Sequence, residues 1–123
     1  MSRALPAFAL LLALTACHSQ DERTARQLTG GDPERGRAEI AAYGCGACHT
    51  VPGVSGANAL VGPPLNGIAE RTWLAGELPN NPDNMKRWIR DPQGVEHGVA
   101  MPNMNVSERD ANDMAAYLYT LRK

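Results

Sequence analysis

Apolar side chains fall along this chain as one nearly continuous block, followed by short runs at helical spacing. From Ala4 to Ala16 almost every position is apolar. His18 to Gly31 then reads HSQDERTARQLTGG, polar and without apolar period, which predicts a flexible tether averaging about 20 Å end to end. Asp32-Pro33-Glu34 supplies an N-cap, a proline at the first helical position and an acid in the first turn, so a helix is expected from there to about Tyr43. A second short helix is expected over Leu65 to Ala75, ended by Gly76. Asn81-Pro82-Asp83 repeats the start signal; Met85, Trp88 and Ile89 form one apolar face, and Asp91-Pro92 stops that helix. Ser107, with Asp110 three residues on, opens the last helix as a carboxylate variant of the capping box. Ala111, Met114, Ala115, Leu118 and Leu121 follow on its inward face, with Arg122 and Lys123 suiting the negative end of its dipole. No run alternates over strand length. The pattern predicts an all-α domain of about four short helices with long Gly- and Pro-rich loops.

The first block is too short, and wrongly flanked, for a spanning helix. With Arg3 ahead of it, residues 1–16 read as a secretory signal peptide. Leu14-Thr15-Ala16-Cys17 resembles the bacterial lipobox, in which the cysteine is lipidated and becomes the first residue after cleavage. Acyl chains contribute about 0.8 kcal/mol per buried methylene, enough for several chains to hold a domain at a membrane. The alternative is an ordinary signal peptide with Cys17 nearby by chance. The domain plan is therefore signal peptide 1–16, lipidated start and tether 17–31, and a folded domain 32–123. The expected location is the periplasmic side of a bacterial membrane.

Composition sharpens the picture of that domain. Beyond the leader the chain has no phenylalanine, since Phe8 is the only one, but keeps two Trp, three Tyr and twelve Gly. So lean a set of large side chains implies that a non-protein group completes the core. Setting Arg3 aside, eleven basic against thirteen acidic side chains leave a charge of −2, which excludes a nucleic-acid binder driven by net charge.

Cys45-Gly46-Ala47-Cys48-His49 carries the chemistry. On a helical turn positions i, i+3 and i+4 share a face, which aims both thiols and the imidazole at one object. C-x-x-C-H is the attachment pattern of c-type haem: two thioethers form to the vinyl groups and the adjacent histidine binds iron. Small Gly46 and Ala47 would let a porphyrin edge lie close. A thioredoxin-like motif wants a βαβ setting, and structural zinc wants four ligands, for which only His97 or His18 could join. The three cysteines divide as one for the lipobox and two for haem.

From about Gly31 to its C-terminus the chain resembles class I cytochrome c. Gly31-Asp32-Pro33-Glu34-Arg35-Gly36 is similar to that family's opening helix, whose glycine permits a close crossing with the last helix. Gly62-Pro63-Pro64-Leu65 resembles its Gly-Pro-x-Leu, and Asp113-Met114-Ala115-Ala116-Tyr117-Leu118 its C-terminal helix. The resemblance implies one haem c, bound covalently through Cys45 and Cys48, within the class I cytochrome c fold. It places the Pro63 carbonyl on the His49 imidazole, Leu65 beside it, Arg71 at a haem propionate, and Met101 at the sixth coordination position opposite His49. Trp88 is expected as a wall of the haem pocket, with Trp73 and Leu78 covering another edge. Val99 stands where a hydroxyl residue often bonds in the propionate network.

Met101 is the preferred sixth ligand because it precedes Pro102 in a loop. Met104 and His97 remain alternatives; Met104 reads as a core residue ahead of the last helix, and Met85 and Met114 as core filler. Tyr117 is expected between the terminal helices and Tyr43 at the edge of the haem motif. Arg71, Arg87 and Arg90 are expected to form a local basic patch. With histidine and methionine on iron no open site remains, so the expectation is an electron carrier rather than an enzyme, docking through a partly exposed haem edge. The leading partners are a quinol-oxidising complex and a terminal oxidase; a periplasmic dehydrogenase is the runner-up, and a haem sensor or peroxidase a rival of another class.

Overall fold

The structure is a computed structural model and describes residues 20–123. The leader and Cys17 lie outside the described residues. Its helices are α1 (residues 20–29, as described), α2 (Pro33–Ala42), α3 (Pro82–Arg90), α4 (Pro92–Val95) and α5 (Glu108–Leu118). Tight 3-10 turns occupy Cys45–Ala47 and Ile68–Glu70, and β1 (Trp73–Leu74) pairs antiparallel with β2 (Leu78–Pro79).

The capping signals act as their chemistry requires. Asp32 accepts from the Arg35 N–H, Asn81 from Asn84 and Ser107 from Asp110, each satisfying a backbone donor that the first helical turn leaves open. α2 and α5 then cross at the centre of the domain. The crossing is close because Gly36 has no side chain: a Cβ there would lie 1.9 Å from the Asp113 carbonyl oxygen. Buried Asp113 stitches the two helices, accepting from the Asp32 N–H at 2.6 Å and from Arg35 Nε and Nη2 at 2.9 and 3.0 Å. Ile40, Met85, Ile89, Ala111, Met114, Ala115 and Leu118 belong to the core around this crossing.

Two expectations are corrected here. Residues 20–29 are a helix rather than a flexible coil. It docks through Ala25 and Thr29, both buried, while Leu28 is exposed. An Asp21–Arg122 ion pair at 3.3 Å ties α1 to the C-terminus, an Arg26–Asp32 pair ties it to the start of α2, and Gly30, at positive φ, ends it by donating to the Arg26 carbonyl. A buried face made of one small residue and one hydroxyl leaves no hydrophobic period to read.

The second correction concerns Leu65 to Ala75, which forms a 3-10 turn and half a hairpin instead of a helix. Positive φ at Ala75 and Gly76 reverses the chain so that Leu74 faces Leu78. Asn80 holds the result together: its amide donates to the Ile68 and Arg71 carbonyls and its oxygen accepts from the Tyr119 hydroxyl at 2.7 Å.

Candidate functional site

The C-x-x-C-H segment leaves α2 through Gly44, whose φ of 75° is open to glycine without strain, and winds into the 3-10 turn Cys45–Ala47. The His49 N–H donates to the Cys45 carbonyl at 3.0 Å, so one tight turn carries the two thiols and the imidazole. Cys45 and Cys48 are free of any disulfide, and burial pushes the Cys45 thiol above its ordinary value. Gly46 is required by the protein itself: a Cβ there would lie 2.7 Å from that of Ala57.

The imidazole is fixed by the next loop. His49 Nδ1 lies 2.7 Å from the Pro63 carbonyl oxygen, which can only accept, so Nδ1 is the donor and in the neutral imidazole the free lone pair is on Nε2. Gly62 makes this approach possible, since a Cβ would sit 2.5 Å from His49 Cε1. The loop is anchored by Gly62 N–H to the Cys48 carbonyl at 2.7 Å and Leu65 N–H to the Thr50 carbonyl at 2.8 Å, with Leu65 packed on the core. Two free thiols and an imidazole with an available Nε2 on one turn are the donor set that covalent haem needs. Among the described residues no three His, Cys, Asp or Glu side chains gather as a metal cluster, which leaves the zinc reading without its set of ligands.

A sequence model of the family described as Cytochrome c matches residues 33–122, well over half of the chain. The chain belongs to the cytochrome c family. Membership implies one haem c, bound covalently through Cys45 and Cys48, and makes the domain an electron-transfer cytochrome. Among curated proteins, the domain is similar to a protein named cytochrome c oxidase subunit 2 from Alkalihalophilus pseudofirmus (strain ATCC BAA-2126 / JCM 17055 / OF4), 38% identical over 89 residues. That stretch covers 72% of this chain and 25% of the relative. A protein of the same name from Bacillus sp. (strain PS3) is 30% identical over 82 residues, 63% of this chain and 23% of its own length. The chain thus corresponds to about a quarter of the length of these relatives.

The remaining site residues are placed unevenly. Met101 is half-buried in the loop between α4 and α5, and Trp88 is half-buried on α3 beside buried Met85 and Ile89. Met104 is 41% exposed, and Val106 takes the core position ahead of α5 that Met104 was expected to fill. Asn105, between Met104 and Val106, has a positive φ of 56° in a segment without regular structure. The Arg71 guanidinium donates to the Pro64 carbonyl and, at 3.4 Å, to that of Asn66, so it braces the loop that holds His49. Tyr43 bonds Asp110 of α5 at 2.8 Å, and Tyr117, which lies beside Arg37 of α2, donates to the Pro52 carbonyl beyond the haem motif. Arg87 and Arg90 line a cleft of about 560 Å³ with Lys86, but Asp83, Asp91 and Glu108 line it too, and Arg71 is engaged elsewhere. No purely basic patch results.

One feature of the site escaped the motif reading. From Ile40 through Ala69 the chain contains no Asp, Glu, Lys or Arg, and within that span Leu60 and Val61 are 76% and 78% exposed. They immediately precede the Gly62-Pro63 loop on His49. A count of charges in a moving window would have found it.

Proposed function

We propose that this cytochrome carries single electrons in a respiratory chain, from a quinol-oxidising complex to a terminal oxidase, while anchored at the periplasmic face of a membrane through lipidated Cys17. The observation that carries the oxidase role is the match over 89 residues to a protein named cytochrome c oxidase subunit 2. Haem supplies a reversible one-electron change at iron. This chain's residues would hold and bias it: Cys45 and Cys48 would attach the group, His49, oriented and made more basic by the Pro63 carbonyl, would bind the iron, and Met101 would supply a thioether ligand. A soft thioether stabilises the reduced state relative to a second histidine.

The exposed, uncharged span beside His49 supports docking through apolar contact rather than charge steering, in place of the basic patch. Electron transfer to the partner is then expected to change by less than about twofold between roughly 0.01 and 0.15 M salt. A steep fall with salt would refute this mode of docking.

The partner is tested by mixing reduced holoprotein with bacterial membranes containing a terminal oxidase and following haem oxidation together with oxygen uptake. Fast oxidation coupled to oxygen uptake supports the role. Turnover only when a periplasmic dehydrogenase and its substrate are supplied would replace the oxidase by the runner-up, and rapid carbon monoxide binding by the reduced protein would support a sensor or peroxidase. Anchoring is tested separately, because Cys17→Ala should move the protein from the membrane to the soluble periplasmic fraction; an unchanged distribution would refute lipidation.

A further inference from the structure

Met101 lies in a loop that lacks regular structure, yet this loop is tied to α4 at several points by two side chains. Gln93 makes three of the ties. Its Nε2 donates to the Val99 carbonyl at 2.7 Å and to the Met101 carbonyl at 2.8 Å, and its Oε1 accepts from the Gly98 N–H at 3.2 Å. Both amide hydrogens and one oxygen lone pair are used, in the only orientation of the amide that opposes donors to acceptors. Further along, Asn103 Oδ1 accepts from the Gln93 N–H at 3.3 Å, and Asn103 Nδ2 donates to Asp91 Oδ1 at 3.1 Å. Asp91 Oδ1 also accepts from the Gly94 N–H at 2.9 Å as the cap of α4. Gly98 turns the chain at a φ of 84°, and Pro102 fixes the residue after Met101.

We propose that Gln93 is the positioning residue for the sixth ligand: its side-chain amide holds the Met101 backbone so that the thioether stays on iron, and thereby limits ligand dissociation. The inference rests on the reading of Met101 as that ligand. A short helix supplies a rigid base, since Pro92 is buried in the core and Asp91 caps it, and Gln93 transmits that rigidity to a segment with no helix or strand of its own. Thioether–iron bonds are weak enough for backbone placement to matter, so a loop released from Gln93 samples positions in which the sulfur is off the metal.

The test compares holoprotein carrying Gln93→Met or Gln93→Glu with the wild type. Methionine keeps the length of the side chain and removes all three hydrogen bonds; glutamate keeps the acceptor for Gly98 and sets a carboxylate against two carbonyls. Both should weaken the iron–sulfur charge-transfer band of the ferric protein and speed carbon monoxide binding to the ferrous protein by about tenfold or more, equivalent to about 1.4 kcal/mol in the dissociated population. Melting followed by far-ultraviolet circular dichroism should change much less than thermal loss of the band. Unaltered band and carbon monoxide kinetics in both variants would overturn the proposal, even if melting fell, because Gln93 would then be merely structural. Hydrogen exchange of the wild type gives a readout independent of variant folding: the Gly98 amide must exchange slowly, and fast exchange also overturns the proposal. Met101→Ala separates the underlying assumption. If that variant keeps the band, the ligand reading itself fails; if it loses the band while the Gln93 variants do not, only the positioning role fails.

Discussion

Gly36→Ala tests the helix crossing on which the domain depends. The added Cβ would sit 1.9 Å from the Asp113 carbonyl oxygen, 2.4 Å from its carbon and 2.9 Å from the Met114 nitrogen, all backbone atoms that no rotamer change can move. Restoring ordinary contact at about 3.4 Å requires α2 and α5 to part locally by about 1.5 Å. The Asp113 carboxylate would be drawn away from Asp32 and Arg35 at the same time. Overpacking of this kind costs about 1–3 kcal/mol, and stretched charge-assisted hydrogen bonds add to it, while the better helix propensity of alanine returns about 1 kcal/mol. A net loss of roughly 2–4 kcal/mol corresponds to a fall in melting temperature of about 10–25 °C for a domain of this size. The assay is thermal melting of the holoprotein by far-ultraviolet circular dichroism, with Gly44→Ala as the comparison. Gly44 has a positive φ but nothing within 4 Å of its added Cβ, so its variant should lose only about 1 kcal/mol. If Gly36→Ala melts within a few degrees of wild type, the close crossing is not what holds the terminal helices together.

Three further outcomes follow from the geometry. Gly62→Ala drives a Cβ into the His49 ring and should break the Nδ1–Pro63 contact, lowering the basicity of the imidazole; an unchanged reduction potential would count against that contact. Tyr119→Phe removes the 2.7 Å bond to Asn80 and should cost about 1 kcal/mol in denaturant melts, against no change if Asn80 is held without it. Burial first, then the neighbouring Asp110 and Asp113 carboxylates, pushes the Glu39 carboxyl from 4.5 up to about 7, and its Oε2 is buried without a hydrogen-bond partner. The folded state therefore binds the proton more tightly than the unfolded chain. That stability is fully present below about pH 4.5 and is lost as pH rises through 7. Asp32 and Asp110, held below the usual carboxylate range first by the Arg35 backbone N–H and the Tyr43 hydroxyl respectively, act only at lower pH. Glu39→Gln should match wild type near pH 5 and melt higher near pH 8; a difference that does not grow with pH would refute the assignment.

Local chemistry was legible wherever one residue decides it. Asp32, Asn81 and Ser107 announce their helices because a capping oxygen three residues before a backbone N–H works without help from the rest of the fold. The haem turn and the Gly62-Pro63 loop were legible as motifs, and the structure brings His49 and Pro63 into contact. What escaped depends on partners distant in sequence. α1 is held by a small buried face and by charges that meet Arg122 and Asp32, so neither its propensity nor its polarity reveals it. Leu65 to Ala75 has helix-compatible residues, but Asn80, itself held by Tyr119, captures its carbonyls. Gln93 is not marked by any motif: its role depends on the Gly98, Val99 and Met101 backbone groups that the fold brings to its amide.

The stitching of the two ends bears on how the protein is made. Asp113 reaches Asp32 and Arg35 across nearly the whole domain, and the Cβ-free face of Gly36 fits only a finished α5. During synthesis α2 must wait for α5, because contacts so far apart in sequence cannot form until both partners have emerged. Throughout that interval the turn bearing Cys45 and Cys48 has no completed core beside it. That turn can therefore be presented for covalent attachment before the crossing closes, and in the finished domain both cysteines are still only partly buried.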